Sequence, residues 1–86
     1  MEVWRPANYI IFVRVNPKVI VDGAEVGKIK NGESIFFETT PGEHEIQVKA
    51  LTTANYKAKL DLHEGSIIKV GTDVVGWLLE AVESKS

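Results

Sequence analysis

Three turn-forming dipeptides fall at nearly even intervals within residues 19–48: Asp22-Gly23, Asn31-Gly32 and Pro41-Gly42. Asp-Gly and Asn-Gly supply the residues that tolerate positive φ at both centres of a type I′ turn, and Pro-Gly suits the two centres of a type II turn. Between them lie short apolar segments of strand length. A chain punctuated in this way has no room for long helices over that region and must fold as paired short strands.

The turns also predict a register. With Asp22-Gly23 at the centre of a hairpin, Val21 faces Ala24 and Val19 faces Val26. With Asn31-Gly32 in the same role, Lys30 faces Glu33, Ile29 faces Ser34 and Val26 faces Phe37. A two-residue turn at Pro41-Gly42 adds Phe37 opposite Ile46 and Ile35 opposite Val48. Three independently chosen turns thus place Val19, Val26, Phe37 and Ile46 in one row, the agreement expected of a specified fold. Because a type II turn splays its strands, Pro41-Gly42 has a second reading, as an arch to another sheet.

The rest of the chain extends the pattern. Residues 1–8 read as an irregular lead-in with Trp4 the residue to pack, and Tyr9, Ile11, Val13 and Val15 alternate with Ile10, Phe12 and Arg14 as a strand covered on both sides. Thr52-Thr53-Ala54 reads as a loop. Tyr56, Ala58, Leu60 and Leu62 then share one face and Asn55, Lys57, Lys59 and Asp61 the other, an antiparallel strand with one wet side. His63-Glu64-Gly65 turns the chain, and residues 66–71 point Ile68 and Val70 inward. The tail fits two templates: Val74, Trp77, Leu78, Ala81 and Val82 make a helical face with Asp73 as N-cap, while Val75, Trp77, Leu79 and Ala81 alternate as a strand. About seven short strands at ten-residue spacing predict a single all-β domain over residues 1–86, an antiparallel sandwich of immunoglobulin-like or transthyretin-like kind, with a frayed end at 84–86.

Composition narrows function by exclusion. The 86 residues hold no cysteine, so no disulfide or thiolate site exists, and ten basic against twelve acidic side chains give a net charge of −2 with no basic stripe for nucleic acid. No window approaches the roughly 18 apolar residues of a membrane span. The compartment stays open: cytoplasmic as the chain is written, cell envelope if an export signal has been removed.

At Val19-Ile20-Val21-Asp22-Gly23, Val26-Gly27 and Pro41-Gly42-Glu43-His44-Glu45-Ile46-Gln47-Val48 the chain resembles PEGA-type domains and the related small β-sandwich domains of bacterial envelope lipoproteins. The Pro-Glu-Gly-Ala tetrapeptide that names the first family does not occur. The resemblance implies a non-catalytic sandwich, often an accessory or interaction module, with a strand as its last element.

Residues that look chemical have local reasons to be present. Asp22, Gly23, Asn31, Gly32, Pro41 and Gly42 are turn formers, Asp22 bonding its own backbone. His44 closes the last turn by a ring hydrogen bond to backbone, because Glu43 and Glu45 at i±1 point to the opposite strand face and cannot share a ligand with it. His63, with Asp61 and Glu64 nearby, reads as a solvated turn histidine. A small ligand or metal site built from His44 and His63 is the alternative, and it requires the two turns to meet. No catalytic set, metal set or cofactor is expected. Contact surface is expected instead from Trp4, Phe36, Trp77 and Leu79, with Phe36 either lying over Gly27 as an aromatic covering a strand glycine or exposed for recognition, and with protein partners or self-association as the outcome.

Overall fold

Asp22 and Gly23 carry φ of 50° and 85°, the pair of left-handed residues that a tight hairpin demands, and β2 (Lys18–Val21) and β3 (Ala24–Lys28) pair antiparallel around them with Val21 opposite Ala24. One step further the expected register fails. Val19 lies opposite Gly27 rather than Val26, because the ladder slips by one residue between Val19 and Ile20. Gly27 has φ of 149°, backbone that a side chain disfavours, so the glycine absorbs the irregularity and the strand bends there.

The computed structural model describes residues 1–7, 15–50, 55–72 and 76–84, and every structural statement refers to these. The strand expected over residues 9–15 lies outside them except for Val15, as do the 52–54 loop, Asp73 to Val75 and the last two residues. Six further strands complete the fold: β1 (Glu2–Trp4), β4 (Ser34–Phe36), β5 (Gly42–Lys49), β6 (Tyr56–Leu62), β7 (Ile67–Thr72) and β8 (Trp77–Val82). They form two four-stranded sheets, one ordered β4-β1-β7-β8 and the other β3-β2-β5-β6. The second is antiparallel throughout. The first is mixed, since β1 runs parallel to β7 with Val3 beside Ile68. The fold is the expected all-β sandwich, with one strand more than expected and one parallel pair that contradicts a purely antiparallel arrangement.

The Asn31-Gly32 turn exists, whereas Pro41 is only a bend leading into Gly42, the first residue of β5, and both segments carry the chain between sheets. At the first, Gly32 has φ of 78° and Glu33 N–H donates to Lys30 C=O at 3.0 Å, as in a hairpin. Yet Ile29 has already left the ladder: it is fully buried and its N–H donates to Pro17 C=O at 3.0 Å. Strand β4 therefore pairs with β1, Ile35 opposite Val3, and the pairs Ile29–Ser34 and Val26–Phe37 do not form. The edge of β5 is occupied by β2, with Val19 opposite Val48 and Val21 opposite Ile46, so Phe37–Ile46 and Ile35–Val48 do not form either. In place of the predicted row, Val21, Ile46 and Ala58 run across three strands, flanked by Val19, Val48 and Tyr56.

One further expectation is corrected. Glu2–Trp4 is a strand, not an irregular lead-in, because Val3 seats between Ile35 and Ile68 with no exposed surface. Of the two readings of the tail, the strand that the resemblance implies is the one that forms: β8 pairs with β7 from Thr72–Trp77 to Ile67–Val82, directing Trp77 and Leu79 inward and Leu78 and Glu80 outward. The core joins Val3, Ile68, Val70, Trp77 and Leu79 of the mixed sheet to Val19, Val21, Ile46, Val48 and Leu62 of the other, with Ile29 from the crossing segment. Burying each such side chain contributes about 1.5–3 kcal/mol. The alternation of β6 holds as predicted, Leu62 buried and Lys57, Lys59 and Asp61 exposed.

Candidate functional site

His44 stands near the start of β5, on the inward face, with its side chain 11% exposed. Its Nδ1 donates to Asp22 Oδ2 at 2.5 Å and its Nε2 donates to Thr40 C=O at 2.6 Å, with Thr39 Oγ1 at 3.4 Å. The ring bond to backbone is the one the sequence predicted; the carboxylate is not. Asp22 was expected to bond its own turn, but its Oδ1 accepts the Glu45 N–H at 2.9 Å while its own N–H donates to Glu45 C=O at 2.8 Å. Register explains this. Asp22 follows Val21, which pairs with Ile46, so the β2–β3 turn projects beside Glu45 and His44. Asp-Gly after one strand and Pro-Gly-x-His before its neighbour is the sequence signal that could have found the contact.

Both ring nitrogens face acceptors, and only the imidazolium can donate to both. The hydrogen bond to Asp22, then that to Thr40, raises the His44 pKa above the ordinary histidine value. The same bond, then the Glu45 N–H, lowers that of Asp22. An Asp-His pair of this kind resembles the base of a hydrolytic site, but the nitrogen that would take a proton is committed to the Thr40 carbonyl.

His63 lies at the same end of the antiparallel sheet, one residue beyond Leu62, which pairs with Gly42. Its Nδ1 donates to Glu64 C=O at 3.0 Å and its Nε2 meets Glu83 Oε1 at 2.7 Å, with 59% of the side chain exposed. The Glu64 carbonyl, then Glu83, raises its pKa. The two histidines bond to separate carboxylates, and among the described residues no group of three His, Asp or Glu side chains gathers in a metal-binding arrangement.

The candidate contact residues divide. Trp77, 2% exposed, and Leu79 belong to the core and present no surface. Phe36 is 73% exposed and Leu78 44% exposed. Phe36 does not cover Gly27; the group nearest a methyl built there is Ile35 Cδ1 at 3.7 Å, because β4 turns Ile35 inward and Phe36 to the outer face. Trp4 is partly exposed on that same face, beside Lys69, whose Nζ lies 6.0 Å from the indole centre. Of Trp77, Leu78 and Leu79, which the sequence offers as apolar surface on both sides of the tail, Leu78 is the one that faces outward.

Arg5 also escaped sequence reasoning. It is 1% exposed, donates from one guanidinium nitrogen to Val15 C=O at 2.6 Å and Ile29 C=O at 3.2 Å, and lies 4.9 Å from the Trp77 ring centre. Its burial lowers its pKa. Here an arginine ties the end of β1 to two crossing segments and β8, a role that no local pattern announces.

The outer faces of the two sheets differ in kind. The antiparallel sheet shows solvent Lys18, Glu25, Glu43, Glu45, Lys49, Lys57, Lys59 and Asp61, with Lys18–Glu25 and Lys57–Glu45 pairs at 3.5 Å. The mixed sheet shows Phe36, Ile67 and Val82 along one row, with Glu2 between Phe36 and Ile67, Trp4 along the next and Leu78 beyond, and carries a Lys69–Glu80 pair at 3.6 Å. A shallow cleft of about 490 Å³ lined by Arg5, Lys69, Thr72, Leu78 and Glu80 adjoins this face. No described helix is long and apolar enough to cross a membrane. Comparison with protein-family models, with curated proteins and with solved structures found no match.

Proposed function

We propose that this chain is a non-catalytic interaction module that engages another protein surface, a second copy of itself included, through the outer face of the mixed sheet. The observation that carries the reading is the contrast between the two outer faces. Exposed aromatic and aliphatic side chains gathered on one face are what contact surfaces display, while the charged opposite face keeps the domain dispersed. The resemblance to PEGA-type domains supports the same reading, as does the engagement of both His44 ring nitrogens, which leaves a hydrolytic or metal-binding role without a free imidazole.

Light scattering coupled to size exclusion over a wide concentration range tests the self-association. The natural chain is expected to grow in mass with concentration, and Phe36→Glu to weaken the association by about 2 kcal/mol, roughly thirtyfold in dissociation constant. A strict monomer at all concentrations removes self-association from the proposal. The ligand-binding alternative, resting on His44 and His63, predicts instead that zinc or nickel titration shifts both imidazole resonances together.

A further inference from the structure

The long connection between β4 and β5, residues 37–41, crosses from one sheet to the other, and the side chain that fastens it is His44. Nε2 holds the Thr40 carbonyl and lies near Thr39 Oγ1, while Nδ1 holds Asp22 of the β2–β3 turn. One imidazole at the start of β5 therefore ties the end of the crossover that precedes it to a turn 22 residues away in sequence. The Asp22 carboxylate and the Thr40 carbonyl only accept, so these two bonds coexist only while the ring carries both protons; the Thr39 hydroxyl, 3.4 Å from Nε2, is the neighbour that can donate to the neutral ring.

We infer that Asp22, His44 and the Thr39–Thr40 backbone form a proton-controlled latch, in which loss of one ring proton releases the Thr40 carbonyl end of the crossover, while the β2–β3 turn stays in place and Phe37 stays bonded to Met1 through its N–H and its C=O. Which contact yields follows from chemistry. A neutral ring keeps its remaining proton toward the carboxylate, because a hydrogen bond to a charged acceptor is the stronger. The Nε2 lone pair then points at the Thr40 oxygen, and the two repel. Asp22 is meanwhile still held by the Glu45 backbone at both its N–H and its Oδ1.

Few other charges intervene. On its own strand His44 is flanked by Glu43 and Glu45, which belong to the outer face; across β6 it pairs with apolar Leu60, between outward Lys59 and Asp61; in the crossover Glu38 is exposed, and Glu64 and the Met1 ammonium line the groove beside Thr39 and Pro41. His63, at the neighbouring turn, is bonded to Glu83.

The pH window follows from the directions of the shifts. The His44 pKa is raised in the fold, so its contribution is fully present below the ordinary histidine value and is lost as pH rises through the raised one. The Asp22 pKa is lowered, so its contribution is present above the ordinary carboxylate value and is lost as pH falls through the depressed one. The latch is closed between these limits and opens on the alkaline side by release of the Thr40 end of the crossover. One wall of a small groove shared by Thr39, Pro41, Glu64 and Gly65 moves with it.

Nitrogen NMR of the intact chain tests this without a variant. Below the His44 midpoint both ring nitrogens are expected to be protonated and hydrogen-bonded. The Thr39 and Thr40 amide signals should titrate at the same midpoint and lose order above it, while the Asp22 and Glu45 amides remain protected from exchange. Asp22→Asn keeps an oxygen for the Glu45 N–H and tolerates the same backbone, so it should fold and shift the midpoint to lower pH. A His44 midpoint not raised above the ordinary histidine value, or Thr39 and Thr40 signals indifferent to it, overturns the latch. Both results are independent of whether the mixed-sheet face binds a partner.

Discussion

The mixed and antiparallel sheets supply about equally to one core, yet they differ in construction and in what they show the solvent. The antiparallel sheet joins two pairs of sequence neighbours, β2 with β3 through a tight turn and β5 with β6 over seven consecutive positions, along β2 and β5. The mixed sheet holds one such pair, β7 with β8, and draws β1 and β4 from distant parts of the chain, with Val3 between Ile35 and Ile68. The local sheet carries a charged outer face and the assembled sheet an apolar one. Aromatic residues on the two sides of the assembled sheet then do opposite things: Trp77 stabilises from within, and Phe36, pointing away from the core, contributes little to folding and is available for contact.

The division predicts a hierarchy of effects. Trp77→Ala, which empties a core site and removes the ring beneath Arg5, is expected to cost about 3–5 kcal/mol by chemical denaturation. Phe36→Ala should change stability by less than about 0.5 kcal/mol in the same assay. A comparable loss at both positions would break the distinction between inner and outer aromatics. Smaller still are the ion pairs of the antiparallel sheet. Lys57→Ala removes an exposed partner of Glu45, and denaturation should register no more than about 1 kcal/mol, diminishing with added salt. A larger, salt-independent loss would mean that the charged face is structural rather than solvating.

What could be read from residues follows the same line. The Asp22-Gly23 hairpin and the alternation of Tyr56, Ala58, Leu60 and Leu62 are local signals, and the structure keeps them. Glu2–Trp4 is too short for any periodicity to register, and its parallel pairing with β7 is set by burial of Val3 rather than by anything nearby. Asn31-Gly32 makes the expected tight turn, but the direction of the outgoing strand is decided by Ile29 and Ile35, both of which need the core. The slip at Gly27 moved one predicted pair, Val19–Val26, while the rest of the row was lost because β4 joins β1 and β2 takes the edge of β5. At the candidate site the bond from the His44 ring to backbone was legible, whereas its Asp22 partner depends on β2 lying beside β5. Trp77 was misplaced because tryptophan reads alike in cores and in interfaces, and Leu78, which does face outward, sits beside it.

The central claim is that contact runs through the apolar face of the mixed sheet. Amide and methyl NMR spectra recorded as the protein is concentrated test it most directly. The account predicts shifts confined to Trp4, Phe36, Ile67, Leu78, Val82 and their neighbours, with Lys18, Glu45, Lys57 and Lys59 unmoved. Concentration-dependent shifts centred on the charged face, or none on the mixed sheet with either a second copy or a captured partner, would contradict it.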